Sequence, residues 1–152
     1  MPSIWSKILT DVKALVVTVQ PTALVKIRKR IKRYADEDLP LIIISPLRDI
    51  EIQEQEAYES QVHINYEVLI AIIYDGNQKV ETELANVLDA REAIRHALHV
   101  TSLATATSST APTGVYDSQV ELNPVYEMPE FDKNYDYSTF SMIYWSKELR
   151  TS

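Results

Sequence analysis

VHINYEVLIAIIYDGN, residues 62–77, alternates with the period of two that a β-strand requires. Val62, Ile64, Tyr66, Val68, Ile70, Ile72 and Tyr74 form one unbroken apolar row. The opposite row starts polar at His63, Asn65 and Glu67 and turns apolar at Leu69, Ala71 and Ile73. From Val62 to Tyr74 such a strand extends about 40 Å at roughly 3.3 Å per residue. A compact domain of this length has a radius of gyration of about 15 Å. The strand therefore crosses the whole molecule and forms the spine of a sheet, closed by a turn at Asp75-Gly76-Asn77, where glycine and asparagine accept positive φ.

Working outward, Ile4, Ile8, Val12, Leu15, Val16 and Val19 recur at helical spacing behind Ser3, a good N-cap residue. A helix over residues 4 to about 17 follows, weakened at its β-branched end and closed by Pro21. TALVKIRKRIKRY fits both templates. As a helix it aligns Leu24, Ile27, Ile31 and Tyr34. As a strand it sets Val25, Ile27, Lys29 and Ile31 on one face and Lys26, Arg28, Arg30 and Lys32 on the other. The alternating β-branched residues and the ADED loop behind them favour the strand.

LPLIIIS, residues 39–45, reads as a short strand buried on both faces and ended by Pro46, and RDIEIQEQEAYES as a loop. Leu84, Val87, Leu88, Ile94 and Leu98 mark one face of a second helix from about Thr82 to Leu98. TSLATATSSTAPTG has the composition of a flexible loop around 101–114. Strands over Val115–Leu122 and Tyr135–Trp145 flank the proline-broken NPVYEMPEFDKN. The economical arrangement is an α+β fold: a mostly antiparallel sheet of about five strands with two helices packed on one face, in a single domain over 1–152.

The chain of 152 residues is 45% hydrophobic and 24% charged, as expected of an ordinary globular domain. Its apolar runs are too short for a membrane span, which takes about 20 residues, and the N-terminus lacks the marks of a secretory leader, so synthesis in the cytoplasm is expected. There is no cysteine, hence no disulfide framework or thiolate metal site. The net charge of -7 hides an asymmetry, since six of the fifteen basic residues lie in KIRKRIKR, residues 26–33. An acidic surface argues against a general nucleic-acid binder, and two glycines, Gly76 and Gly114, do not make a phosphate-cradling loop.

His96 and His99 share a helix face but have no further ligands at metal spacing. Glu92 with His96, and His63 with Glu67, are available as acid–base pairs, yet no nucleophile motif accompanies them. No enzyme, metal or cofactor is expected. The basic row has three readings, a solvated face, a dock for the acidic surface of a neighbouring protein, or contact with nucleic acid. It lacks the interleaved aromatics of single-strand binders, and cations on an edge strand also discourage unwanted pairing. NYDYSTFSMIYW reads as a core or interface strand.

The N-terminal helix, PLIIISP, HINYEVLIAIIYDGN, LANVLDAREAIRHAL and NYDYSTFSMIYW, in that order, resemble the tail-terminator, or tail-completion, proteins of long-tailed bacteriophages. Related neck and head–tail joining proteins share such small α+β designs. The resemblance implies a virion protein of the tail–neck region, forming a hexameric ring that caps the tail tube and meets the head-completion or connector protein. Nucleic acid would only pass through the ring lumen. It carries over no catalytic residues. The alternative class is a small monomeric nucleic-acid-binding module. On the ring reading Lys26, Arg28, Arg30 and Lys32 are expected to contact an acidic segment of a neighbour, at 49–59 or 127–136. Leu69, Ala71 and Ile73 need cover from a folded-back loop or from another subunit.

Overall fold

The structure is a computed structural model that describes residues 3–31, 36–52, 61–75, 81–99, 103, 114–122 and 135–149. Helix α1 spans Ile4–Val19, with the Ser3 hydroxyl accepting from the Ser6 N–H at 3.1 Å as its N-cap. It continues two residues past the expected end because Val16 is buried and Val19 packs on the same cluster. Packing outweighs the low helix propensity of the valines, which amounts to only tenths of a kcal/mol each. Helix α2 spans Glu81–Ala97. Its buried side is Val87, Ala90, Arg91, Ile94 and Leu98, whereas Leu88, expected inside, is exposed.

The strands are β1 (Leu24–Ile27), β2 (Leu41–Ile52), β3 (Gln61–Asp75), β4 (Gly114–Leu122) and β5 (Tyr135–Leu149), in the sheet order β1-β2-β3-β5-β4. Only β1 runs parallel to its neighbour; the other three pairings are antiparallel. The α+β class and the mostly antiparallel five-stranded sheet are as expected, and β3 is the spine, bonded along its length to β5. The turn at Gly76-Asn77 lies outside the described residues, as does the 101–114 loop apart from Leu103, which is buried, and Gly114, which opens β4.

Two expectations change. β2 does not stop at Pro46: it runs on to Ile52 through a bulge between Pro46 and Arg48. The long β3 offers ladder partners well past Leu69, and the bulge accommodates the proline that an unbroken ladder would reject. β1, in contrast, ends at Ile27, so the row of Lys26, Arg28, Arg30 and Lys32 is not a strand face. Arg28 still donates its N–H to the Ile44 carbonyl at 3.0 Å, but the chain bends at Lys29 and Arg30. An edge row of four like charges has no facing strand to stabilise it.

The main core contains the even-numbered row of β3 from Tyr66 to Ile72. With it cluster Val25, Ile42, Ile44, Phe140, Met142, Tyr144 and Val115 of the sheet, Ile8, Val12 and Val16 of α1, and Ile94 and Leu98 of α2. Each such side chain contributes about 1.5–3 kcal/mol by leaving water. A smaller cluster, Leu41, Ile43, Ala71 and Ile73, lies on the other face.

Candidate functional site

Strand pairing fixes which side chains share the second face, because facing residues point the same way. At one end it carries Leu41 and Ile43 of β2 beside Ile73 and Ala71 of β3. Ala71 and Ile73 have no exposed surface, and Leu24, Ile31 and Leu39 pack against their cluster. Of the two covers expected, a folded-back loop or another subunit, the first is found for Ala71 and Ile73: Leu24 of β1 and residues flanking the β1–β2 connection lie over them within one chain. Leu69, the third of that set, is only partly buried, between Ser45 and Ser141 on the neighbouring strands.

Beyond Leu69 the face opens. The bulge in β2 switches its alternation, so Arg48 faces Glu67 and Ile50 faces Asn65. On the other side of β3, Glu67 pairs with Ile143, and Asn65 with Trp145. Arg48 Nε donates to Glu67 Oε2 at 2.6 Å, and this hydrogen bond with its charge raises the arginine pKa above its ordinary value. Ile50 is 48% exposed, and Ile143 and Trp145 are half-buried. The Trp145 indole N–H is buried with no acceptor among the described residues. An open strip of Ile50, Leu69, Ile143 and Trp145 thus surrounds one ion pair. Residues 48–52, expected as loop, supply part of the strip because β2 runs on to Ile52.

His63 approaches the Tyr116 hydroxyl at 3.3 Å through Nδ1, with the two rings edge to face. It is not brought to Glu67. Residues four apart on one strand are separated by about 13 Å, and Glu67 is bound by Arg48 instead. Glu92 and His96 do meet, at 3.5 Å, but on a solvated helix face, where a surface pair contributes little. No group of three or more His, Asp or Glu that could hold a metal ion is found among the described residues. A cavity of about 530 Å³ lies elsewhere, lined by Gln20, Thr22, Pro40, Tyr74, Asn86 and Asp89 among others. None of Lys26, Arg28, Arg30, Leu69, Ala71 and Ile73 is among its described lining residues.

The sheet also has two terminal strands, β1 and β4. On β1, Lys26 is exposed, as are Lys29 and Arg30 just beyond. Arg28, expected to reach a neighbour, is instead gripped by Glu37 of its own chain, with Nη1–Oε1 at 2.6 Å and Nη2 on Oε2. Glu37 is nearly buried, so this two-pronged pair orders the connection that covers the second face. Lys32 lies outside the described residues, as do 53–59 and 127–134 of the expected acidic partners. On β4 the exposed charges are acidic, Asp117 and Glu121, and the terminal Leu122 is 55% exposed.

Among the described residues no helix is long and apolar enough to cross a membrane. Comparison with known proteins returns no matching family model and no matching curated protein.

Proposed function

We propose that the chain is a structural, non-enzymatic virion protein of a long-tailed bacteriophage, a tail terminator that forms a ring at the tail–neck junction. On this reading it is made in the host cytoplasm, caps the tail tube and joins it to the head-completion or connector protein. The order α1, β1, β2, β3, α2, β4, β5 follows the order of segments on which the resemblance rests. The observation that carries the reading is the open strip on the second face, where Ile50, Leu69, Ile143 and Trp145 stand beside the Arg48–Glu67 pair. Partly apolar surface with a polar rim is the composition of a protein-docking site. The loss of Arg28 to an internal ion pair weakens the alternative of a nucleic-acid module, which needs its cations outward.

The test is growth of the cognate tail tube in vitro. Adding the protein stops tube elongation, and Ile50→Asp with Ile143→Asp removes that effect while circular dichroism and the melting transition are preserved. Tubes that elongate equally with and without the wild-type protein contradict the reading.

A further inference from the structure

The two terminal strands of the sheet are complementary to each other, and we infer that they join: β1 of one copy adds antiparallel to β4 of the next. The inference deepens the ring reading, on which it rests for closure of the assembly, and names the surfaces through which neighbouring copies meet.

Main-chain geometry comes first. At the two ends of β1 the N–H groups of Leu24 and of Arg28, the residue just after the strand, donate to the carbonyls of Pro40, just before the parallel neighbour β2, and of Ile44 within it. By the period of two, Val25 and Ile27 turn their N–H and C=O groups away from the sheet. In β4 the Ser118 N–H is taken at 2.8 Å by the adjacent Asp117 carboxylate, so it points away from β5. Val120 and Leu122, two and four residues on, point the same way. Both terminal strands therefore present the alternate backbone groups that a new ladder needs.

Direction and register follow. β1 runs with β2, β3 and β4 run against it, and β5 runs with it. A second copy that continues the sheet with its helices on the same side brings its β1 antiparallel to β4. Pairing Val25 with Leu122 and Ile27 with Val120 sets Lys26 opposite Glu121. Every pair then shares a face: Val25, Ile27, Val120 and Leu122 lie on the side of the main core, and Lys26 and Glu121 on the other. The register covers two exposed apolar side chains, Ile27 at 40% and Leu122 at 55%. Past Ile27 the chain heads toward the start of β4, which brings the exposed Lys29 and Arg30 to the side of Asp117. Like charges across a ladder are unfavourable, so β1 is kept from pairing with β1 and β4 from pairing with β4. Only the head-to-tail contact remains, and a head-to-tail contact is the kind that closes into rings.

The chain has no cysteine, so a designed disulfide reads the register directly. Lys26→Cys and Glu121→Cys are placed in one chain and oxidised at the highest soluble concentration. A ladder of covalent oligomers ending at one closed species is expected, with no ladder from Lys26→Cys combined with Leu122→Cys, whose positions fall on opposite faces. In parallel, Lys26→Glu and Glu121→Lys each weaken self-association roughly tenfold or more, and the two together restore it. A strictly monomeric protein, a cross-link no stronger than the mismatched control, or a double charge reversal no better than the singles overturns the inference. Capping of the tail tube without any 26–121 cross-link overturns it too, yet leaves the tail-terminator reading standing. A cross-linked ring that ignores the tube does the reverse.

Discussion

Tyr144 shows how one side chain ties three elements together. Its ring is fully buried in the main core, and its hydroxyl donates to the Leu98 carbonyl at 2.7 Å. That carbonyl lies one residue past the end of α2 at Ala97, where no helical N–H follows to bond it. Tyr144→Phe leaves it unsatisfied and is expected to lower unfolding stability by about 1–3 kcal/mol, measured by chemical denaturation. The phenol pKa is pushed up by burial, with the Asp11 carboxylate adding to the effect. Tyr66 is raised likewise by burial and by its hydrogen bond to Glu148 at 2.9 Å. Both folded-state values lie above the unfolded value of about 10. The contribution of each phenol is thus fully present below pH ~10 and is lost as pH rises through the folded-state value. Denaturation curves across that alkaline range should show falling stability, with a shallower fall in the double Phe variant. Arg91 is the residue that the sequence concealed. Nearly buried on α2, it donates to Ser138 Oγ at 2.8 Å and to the Thr139 carbonyl at 2.7 Å, above the Phe140 ring. An arginine inside an apolar helix stripe looks like a surface residue until the strand beneath it is known. Arg91→Ala is expected to cost about 1–3 kcal/mol, because it strips the donors from the Ser138 hydroxyl and the Thr139 carbonyl of a buried strand.

Among the elements, β2 and β1 show where pattern reading stops. LPLIIIS was legible as a buried strand, and the proline after it read as a stop. Local sequence cannot say that a long partner strand carries β2 past the proline through a bulge. The bulge has a definite consequence: it turns Asp49 toward α1, where its Oδ2 accepts from the Trp5 indole N–H at 3.0 Å, and turns Arg48 to Glu67 on the other face. Trp5 in turn meets the Tyr66 ring edge to face, with centroids 4.9 Å apart. Deleting Leu47 removes the extra residue and turns the bulge into a regular ladder, in which Arg48 still faces Glu67 and Ile50 still faces Asn65. Thermal melting should show the cooperative transition kept for this deletion and for Leu47→Ala, whereas deletion of the paired Ile50 shifts the register of the strand end and lowers the transition. β1 departs from its pattern in the opposite sense. Alternation over KIRKRIKR suggested a long strand, but Arg28 is committed to Glu37 and the strand ends at Ile27. Glu37 sits in the ADED loop, and nothing in the order of residues marks it as the one acid that turns inward.

For the whole molecule, the alternation of residues 62–74 was enough to place a sheet-spanning strand and to separate a fully apolar row from a mixed one. It was also enough to ask what covers Leu69, Ala71 and Ile73, but not to answer. Ala71 and Ile73 are closed over by their own chain, because Leu39 and Ile31 bracket a connection held down by the Arg28–Glu37 pair. On the proposed reading, the surface left for partners is therefore displaced toward Ile50, Ile143 and Trp145, and to the opposed charges of β1 and β4. Those features arise from strand order and register, which bring residues 26 and 121 to opposite ends of one sheet and residues 50 and 143 to one face. Such juxtapositions have no trace in local sequence. The most direct measurement of the functional account is electron microscopy of cognate tail tubes incubated with the purified protein. The account predicts a closed ring of this chain seated at one tube end, with capped tubes no longer growing. Tube ends bare of the protein, under conditions where the folded chain is in excess, would contradict it.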